Sequence, residues 1–399
     1  MTPKRFMLIA GEASGDMLAA ELVGELRAAI ARESTYSQNV QPLQSDLAPV
    51  FFGAGGPRMA EAGVELTVDM TQHSVIGVPS VQDYLKFSGF LDELFELAKE
   101  REPHVVVCVD FSTFNRKFAA ITKKYVRERR GTFNNWNPKI IQYISPQVWA
   151  SREGRARQIA RDYDLLLSIF PFEPKWYAAR VPKLPVKFVG HPLIERHANA
   201  KYPARSAELA ASPSVLLLPG SRRNELERHW PVMLAAWQRI QTAMSASHAK
   251  VVLPSEEMAA LARSSASRDM KIQVGGLADA LAEADLAIAS TGTVTMECAF
   301  FGVPTVTMYK TSWMTYQVGK RLIKVKSLTM PNLLAEEDVY PEFIQDAATP
   351  ENISRAALEL LQNRSRREKV RSKLAEVIAS LGGPGASRRA AEAILSTIR

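Results

Sequence analysis

A chain of 399 residues that is 46% hydrophobic and 23% charged is long enough for two or three globular cores, and this composition excludes a disordered chain or a membrane bundle. No apolar run approaches the roughly 18 residues that span a bilayer, and Phe6–Ala10 is too short for a signal-peptide core, so the protein is expected to remain inside the cell. The formal charge of +8 favours anionic partners, but no zinc-finger, RNP-like or helix-turn-helix pattern accompanies it, so nucleic acid is not an expected partner.

The first half alternates short β-rich runs with longer amphipathic stretches. Strands are predicted at Phe6–Ala10, Val50–Phe52, Val105–Val109, Ile140–Ile144, Leu165–Ile169 and Lys187–Val189, and helices at Asp16–Arg32, Leu85–Lys99 and Arg116–Arg129. Such βαβ grammar predicts a parallel sheet whose ligands sit beyond the strand carboxyl ends, in the loops Gly11–Asp16, Gly53–Pro57, Asp110–Asn115 and Ser145–Gln147. Glu33–Asp46 and Gly131–Pro138 read as surface loops without chemistry. Residues 195–213 read as a linker between a domain of residues 1–194 and one of residues 214–380.

The pattern then restarts. Strands are predicted at Val215–Leu218, Lys250–Leu253, Lys271–Val274, Leu286–Ala289 and Thr305–Met308, and helices at Trp230–Met244, Met258–Ser265 and Ala278–Glu283. From Asn352 the chain reads as helices broken at Leu381–Gly385, and the terminal segment 381–399 is expected to pack back on the first domain. The fold class expected is α/β, two doubly wound Rossmann-like domains facing a cleft. Cys108 and Cys298 lie in apolar stretches, which fits buried free thiols, and no Cys or His cluster has metal-ligand spacing.

Two loops of the second half carry phosphate-binding chemistry. Pro219-Gly220-Ser221-Arg222 follows an apolar strand and precedes a helix, and Ser290-Thr291-Gly292-Thr293 does the same, with Glu297 on the opening turn. Helix N–H groups and Arg222 would neutralise a diphosphate, and a carboxylate one turn in would accept ribose hydroxyls. Capping explains Gly, Ser and Thr at any such turn, but not Arg222 and Glu297. The Lys of a P-loop and the three-glycine dinucleotide fingerprint are both missing.

The order of motifs along nearly the whole chain resembles the lipid-A-disaccharide synthase family, glycosyltransferases of GT-B architecture. The resemblance is carried by Ala10-Gly11-Glu12-Ala13-Ser14-Gly15-Asp16, Gly56-Pro57-Arg58-Met59, Ser145-Pro146-Gln147-Val148-Trp149-Ala150, Gly190-His191-Pro192, Leu218-Pro219-Gly220-Ser221-Arg222, Gly292-Thr293 through Glu297-Cys298, and Pro331-Asn332-Leu333-Leu334-Ala335. Two departures stand out. Where the family writes Asp-Ala-Pro-Asp-Phe-Asn this chain has Asp110-Phe111-Ser112-Thr113-Phe114-Asn115, so Thr113 replaces the second acid. Where it writes Val-Trp-Ala-Trp-Arg, Ser151 replaces an aromatic before Arg152.

The resemblance implies inverting transfer of 2,3-diacylglucosamine from UDP-2,3-diacylglucosamine to the 6-hydroxyl of 2,3-diacylglucosamine 1-phosphate, giving a β-1,6 disaccharide and UDP. Such a displacement needs a base on the acceptor side and positive charge on the leaving side. Asp110, at a strand carboxyl end, is the base expected, with a helix cap as its alternative role; Glu12 and Asp16 are the other candidate catalytic acids, Asp16 serving equally as a cap. Ser14, Gly15, Ser145, Trp149, Arg152 and His191 are the remaining acceptor-side binding candidates. On the donor side, Ser221 and Arg222 are assigned to the diphosphate, Gly292 and Thr293 to phosphate, Glu297 to ribose, and Asn332 to uracil or pyrophosphate. No cofactor and no metal is expected, since helix dipoles and arginine replace the divalent ion.

An acylated substrate calls for a membrane surface. The apolar stretch Val75–Phe95 is the expected landing site on an anionic leaflet, placing the protein in the cytoplasm, peripherally on the inner membrane; a homo-oligomer is compatible with the sequence. Two alternatives stay open at this point: another GT-B UDP-sugar enzyme such as a UDP-N-acetylglucosamine 2-epimerase, and a non-catalytic basic membrane-surface binder.

Overall fold

The computed structural model describes residues 3–36, 48–73, 81–131, 133–198, 209, 211–267 and 270–398. The chain divides into two compact units, Met1–Arg196 with Leu381–Arg399, and His197–Ser380. Most of the linker expected over 195–213 and most of the loop expected over Glu33–Asp46 lie outside the described residues; residues 33–36 of that loop belong to the helix Ala13–Tyr36.

In the first unit, β1 (Arg5–Ala10), β2 (Val50–Gly55), β3 (Glu65–Asp69), β4 (Val105–Val109), β5 (Lys139–Tyr143), β6 (Leu165–Ser168) and β7 (Val186–Phe188) form one sheet in the order β3-β2-β1-β4-β5-β6-β7. Every pairing is parallel. Helices cover both faces, so the central strands β1 and β4 are buried runs rather than alternating ones. β3, an edge strand with Glu65 and Thr67 exposed, was not predicted from sequence. The chain returns to this unit through the helix Ala386–Leu395, which packs on Ala13–Tyr36. Arg389 fastens the return by donating to the carbonyls of Val189, Gly383 and Pro384.

In the second unit, β8 (Ser214–Leu218), β9 (His248–Leu253), β10 (Lys271–Val274), β11 (Leu286–Ser290), β12 (Thr305–Tyr309) and β13 (Glu342–Ile344) are again all parallel, in the order β10-β9-β8-β11-β12-β13. The helix after β8 spans Arg223–Ala243, two turns earlier than predicted, and carries Pro231 in its interior. The earlier start puts the helix N-terminus directly behind Arg222. Cys108 and Cys298 are both buried, and neither forms a disulfide.

Candidate active site

Strand order reverses between β1 and β4 in the first sheet and between β8 and β11 in the second. These are the switch points at which open parallel sheets bind ligands.

Beyond β8 and β11 lies a cavity of about 680 Å³ whose lining includes Ser221, Arg222, Gly292, Thr293 and Glu297. Five of the six donor-side residues expected from sequence therefore meet in one place. Within the first turn of the helix, Glu225 accepts from Ser221 N–H at 3.1 Å and approaches Arg222 at 3.7 Å, so a carboxylate already sits on the loop's donors. Gly220 permits this: its φ is 119°, and a Cβ there would meet Glu225 Oε2 at 2.4 Å. His229, which the sequence reading missed, holds the loop from below. Its Nδ1 donates to Pro219 O at 2.8 Å and its Nε2 accepts from Lys310 N–H at 3.0 Å, tying the turn after β8 to the end of β12. Burial holds this histidine below its ordinary pKa, consistent with the neutral tautomer the two bonds require.

Asn332 does not join them. It is 2% exposed; its amide donates to Tyr340 O and Glu342 and its carbonyl accepts from Tyr340 N–H, so the expected contact with uracil or pyrophosphate is corrected to a structural clamp.

In the first unit the decisive feature is backbone strain. Asp110 and Phe111 stand at φ 48° and 40°, two consecutive non-glycine residues in the left-handed region. The elbow is clamped from behind: Asn115 and Gln142 each donate to Asp110 O at 2.9 Å. Gln142 also donates to Ile144 O at 3.2 Å, where a third left-handed residue, φ 67°, turns the chain into Ser145-Pro146. Gly11 makes room for the elbow, since a Cβ there would lie 2.2 Å from the Phe111 ring. Phe111, not Asp110, is the N-cap of the following helix, Ser112–Arg129, and has no side-chain cap bond, which removes the capping alternative for Asp110. Burial, and then the charge of Glu12, raise the Asp110 carboxyl above its ordinary range. Glu12 itself is exposed at the end of β1.

Asp16 is corrected from catalyst to anchor. It is 2% exposed, and its two oxygens accept from the amides of Gly56, Arg58 and Met59 at 2.8 to 3.0 Å. Ser14 is exposed in the same loop, and Gly15 is buried under it. Ser145 is 2% exposed and engaged with Tyr177 Oη at 3.2 Å, which gives it a packing role rather than a substrate contact. His191 turns its Nδ1 back to Leu193 N–H at 3.1 Å, and burial pushes its pKa down to about 4, so it stays neutral and local. Arg152 is exposed.

Trp149 donates from Nε1 to Glu173 at 2.9 Å. Ser168 Oγ lies 2.6 Å from the other oxygen of Glu173 and 2.7 Å from Phe170 O, and one hydroxyl proton cannot serve both. A protonated Glu173 resolves the conflict by donating to Ser168, and burial does push its pKa up to about 7. The native state then keeps a proton that the unfolded state releases near 4.5, so stability falls by about 3 kcal/mol as pH rises from there to about 7. Glu173→Gln should flatten this slope, which melting temperatures between pH 5 and 7 would show.

The fold is that of GT-B glycosyltransferases. MurG of Acinetobacter baumannii superposes with a TM-score of 0.56 at 14% identity, covering 99% of this chain and 100% of that one. The UDP-GlcNAc 2-epimerase of Neisseria meningitidis, solved with UDP-GlcNAc bound, gives 0.58 at 10% identity over 99% and 100%. At such identities the likeness is one of fold alone. The chain belongs to the family described as Lipid-A-disaccharide synthetase, whose model it matches over residues 6–397. The lipid-A-disaccharide synthase of Anaeromyxobacter dehalogenans is 34% identical over 403 residues, spanning 99% of this chain and 98% of the relative. The protein is thus a glycosyltransferase of lipid A disaccharide synthesis, and the epimerase and non-catalytic alternatives fall.

Proposed function

We propose that the second unit grips the diphosphate of UDP-2,3-diacylglucosamine and that Asp110 removes the proton from the 6-hydroxyl of 2,3-diacylglucosamine 1-phosphate. The observation that carries this reading is the convergence of Ser221, Arg222, Gly292, Thr293 and Glu297 on one cavity. Arg222 and the loop amides exchange Glu225 for the diphosphate, and Glu297 accepts from the ribose. As the acceptor oxygen attacks C1, the C1–O bond to the diphosphate breaks, UDP leaves with the bonding pair, and Asp110 keeps the proton. Glu12 tunes that carboxylate, while Ser14, Trp149 and Arg152 border the acceptor side. Fixed cations and amides take the role of a divalent ion, so calorimetric titration with UDP should give one site with the same affinity with or without EDTA. A metal-dependent affinity would overturn this part of the reading.

The site of action proposed is the anionic cytoplasmic face of the inner membrane. No described helix is long and apolar enough to cross a bilayer. The landing stretch expected from sequence needs correction: residues 74–80 lie outside the described residues, while Phe87, Phe90, Leu91 and Phe95 pack on the core and Leu94 is buried. Of its apolar side chains from residue 85 on, Leu85 alone is mostly exposed. The helix Trp313–Leu322 offers more, with Trp313 71% and Met314 74% exposed, Lys320, Arg321, Lys324 and Lys326 following, and no acid between residues 310 and 327. The double change Trp313→Ser, Met314→Ser should weaken binding to phosphatidylglycerol vesicles at least tenfold; undiminished sedimentation would place the contact elsewhere.

A further inference from the structure

We propose that a second cavity, about 560 Å³ in the first unit, seats one acyl chain of the lipid acceptor, with the acceptor's phosphate on the arginines beside it. The assignment presupposes the acceptor reading above and adds where the lipid lies. The apolar lining comes from Phe87 and Leu91 on the helix Val81–Arg101 and from Phe111, Phe114, Ala120 and Ile121 at and along Ser112–Arg129. Phe87, Phe111 and Phe114 meet at ring distances of 5.4 to 6.2 Å, a wall of aromatic rings beside an unfilled space of small-ligand size.

The same cavity is also lined by the polar side chains of Glu12, Ser88, Thr113, Arg116, Lys117 and Gln158. Apolar and charged groups around one cavity suit an amphiphile. Phe111 directly follows Asp110 on the strained elbow, and Glu12 is the acid whose charge reaches Asp110, so a tail held here leaves its sugar at the base. Thr113 adds no further negative charge to this lining. Arg116, Arg152 and Arg155 lie close enough together that the first two, after burial, disfavour the charged form of Arg155. Arg116 Nε is buried without a partner, and its Nη1 reaches Gln158 at 3.3 Å. Three crowded guanidinium groups with an unused donor are relieved by an anion, and a sugar 1-phosphate supplies it.

The test is steady-state UDP release by the full chain with 2,3-diacylglucosamine 1-phosphate and with its short 2,3-diacetyl analogue. Ala120→Phe places a ring in the cavity and should lower kcat/KM for the long-chain acceptor at least tenfold relative to the diacetyl one. Ile121→Trp repeats the test should the first variant fail to fold, and UDP affinity with a thermal melt certifies each protein. Arg155→Gln should lose at least fivefold of the preference for the 1-phosphate over the 1-hydroxyl acceptor. Equal effects on long and short acceptors overturn the acyl pocket, and an unchanged phosphate preference overturns the arginine seat. Wild-type protein inactive on every acceptor would overturn the acceptor reading itself, and the pocket with it.

Discussion

Asp110→Asn is expected to lower turnover about a thousandfold while leaving UDP affinity unaltered. Removal of a positioned general base loses about 10²–10⁴ in rate, and Asn is close to Asp in size, so the elbow clamped by Asn115 and Gln142 should persist. The cavity assigned here to the nucleotide is lined by the other unit and does not use this residue. The pH profile adds a second readout. The base acts only when ionised, so activity falls as pH drops through its pKa, and burial followed by Glu12 sets that acid limb above the ordinary carboxylate range. Glu12→Gln removes the smaller of these two influences and should move the limb to lower pH without abolishing it. A limb unmoved in that variant, or full activity in Asp110→Asn, would dismiss Asp110 as base.

Arg222→Ala is expected to weaken UDP binding between tenfold and a hundredfold, the equivalent of about 1.5–3 kcal/mol for hydrogen bonds to a charged group. Arg222 is the N-cap residue of the helix Arg223–Ala243, and its guanidinium stands 3.7 Å from Glu225, the carboxylate the proposed diphosphate would displace. Removing the guanidinium takes away the one arginine of the loop that lines the cavity, while Ser221 N–H and the helix N-terminus remain. Binding should therefore weaken rather than vanish. Calorimetry with UDP measures this, and an affinity within twofold of the parent would place the diphosphate elsewhere.

Much of the fold was legible because buried parallel strands announce themselves. Val105–Val109 and Val215–Leu218 are continuous apolar runs since both faces of each sheet are covered. Edge strands lack that signature: β7 and β10 were read from sequence, whereas β3, with Glu65 and Thr67 exposed, and the three-residue β13 were missed. That the two loops would line one cavity was expected because Arg222 and Glu297 exceed what capping requires. The groups that hold the loops in place were not. Gln142 sits in the apolar strand Ile140-Ile141-Gln142-Tyr143, and an amide buried there was a signal available for use, since a polar side chain in such a run must find partners. His229 lies seven positions into a long helix, and nothing local says that it reaches Pro219 and Lys310. Asp16 and Asp110 look alike in sequence; only the amides of Gly56, Arg58 and Met59, supplied by a distant loop, decide that Asp16 is an anchor.

The most direct measurement is incubation of the purified chain with UDP-2,3-diacylglucosamine and 2,3-diacylglucosamine 1-phosphate, following UDP and the lipid product together. Release of UDP in step with a β-1,6-linked disaccharide 1-phosphate, and dependent on the acceptor, is the result predicted. UDP released equally without acceptor, or a donor sugar epimerised with no disaccharide formed, would contradict it.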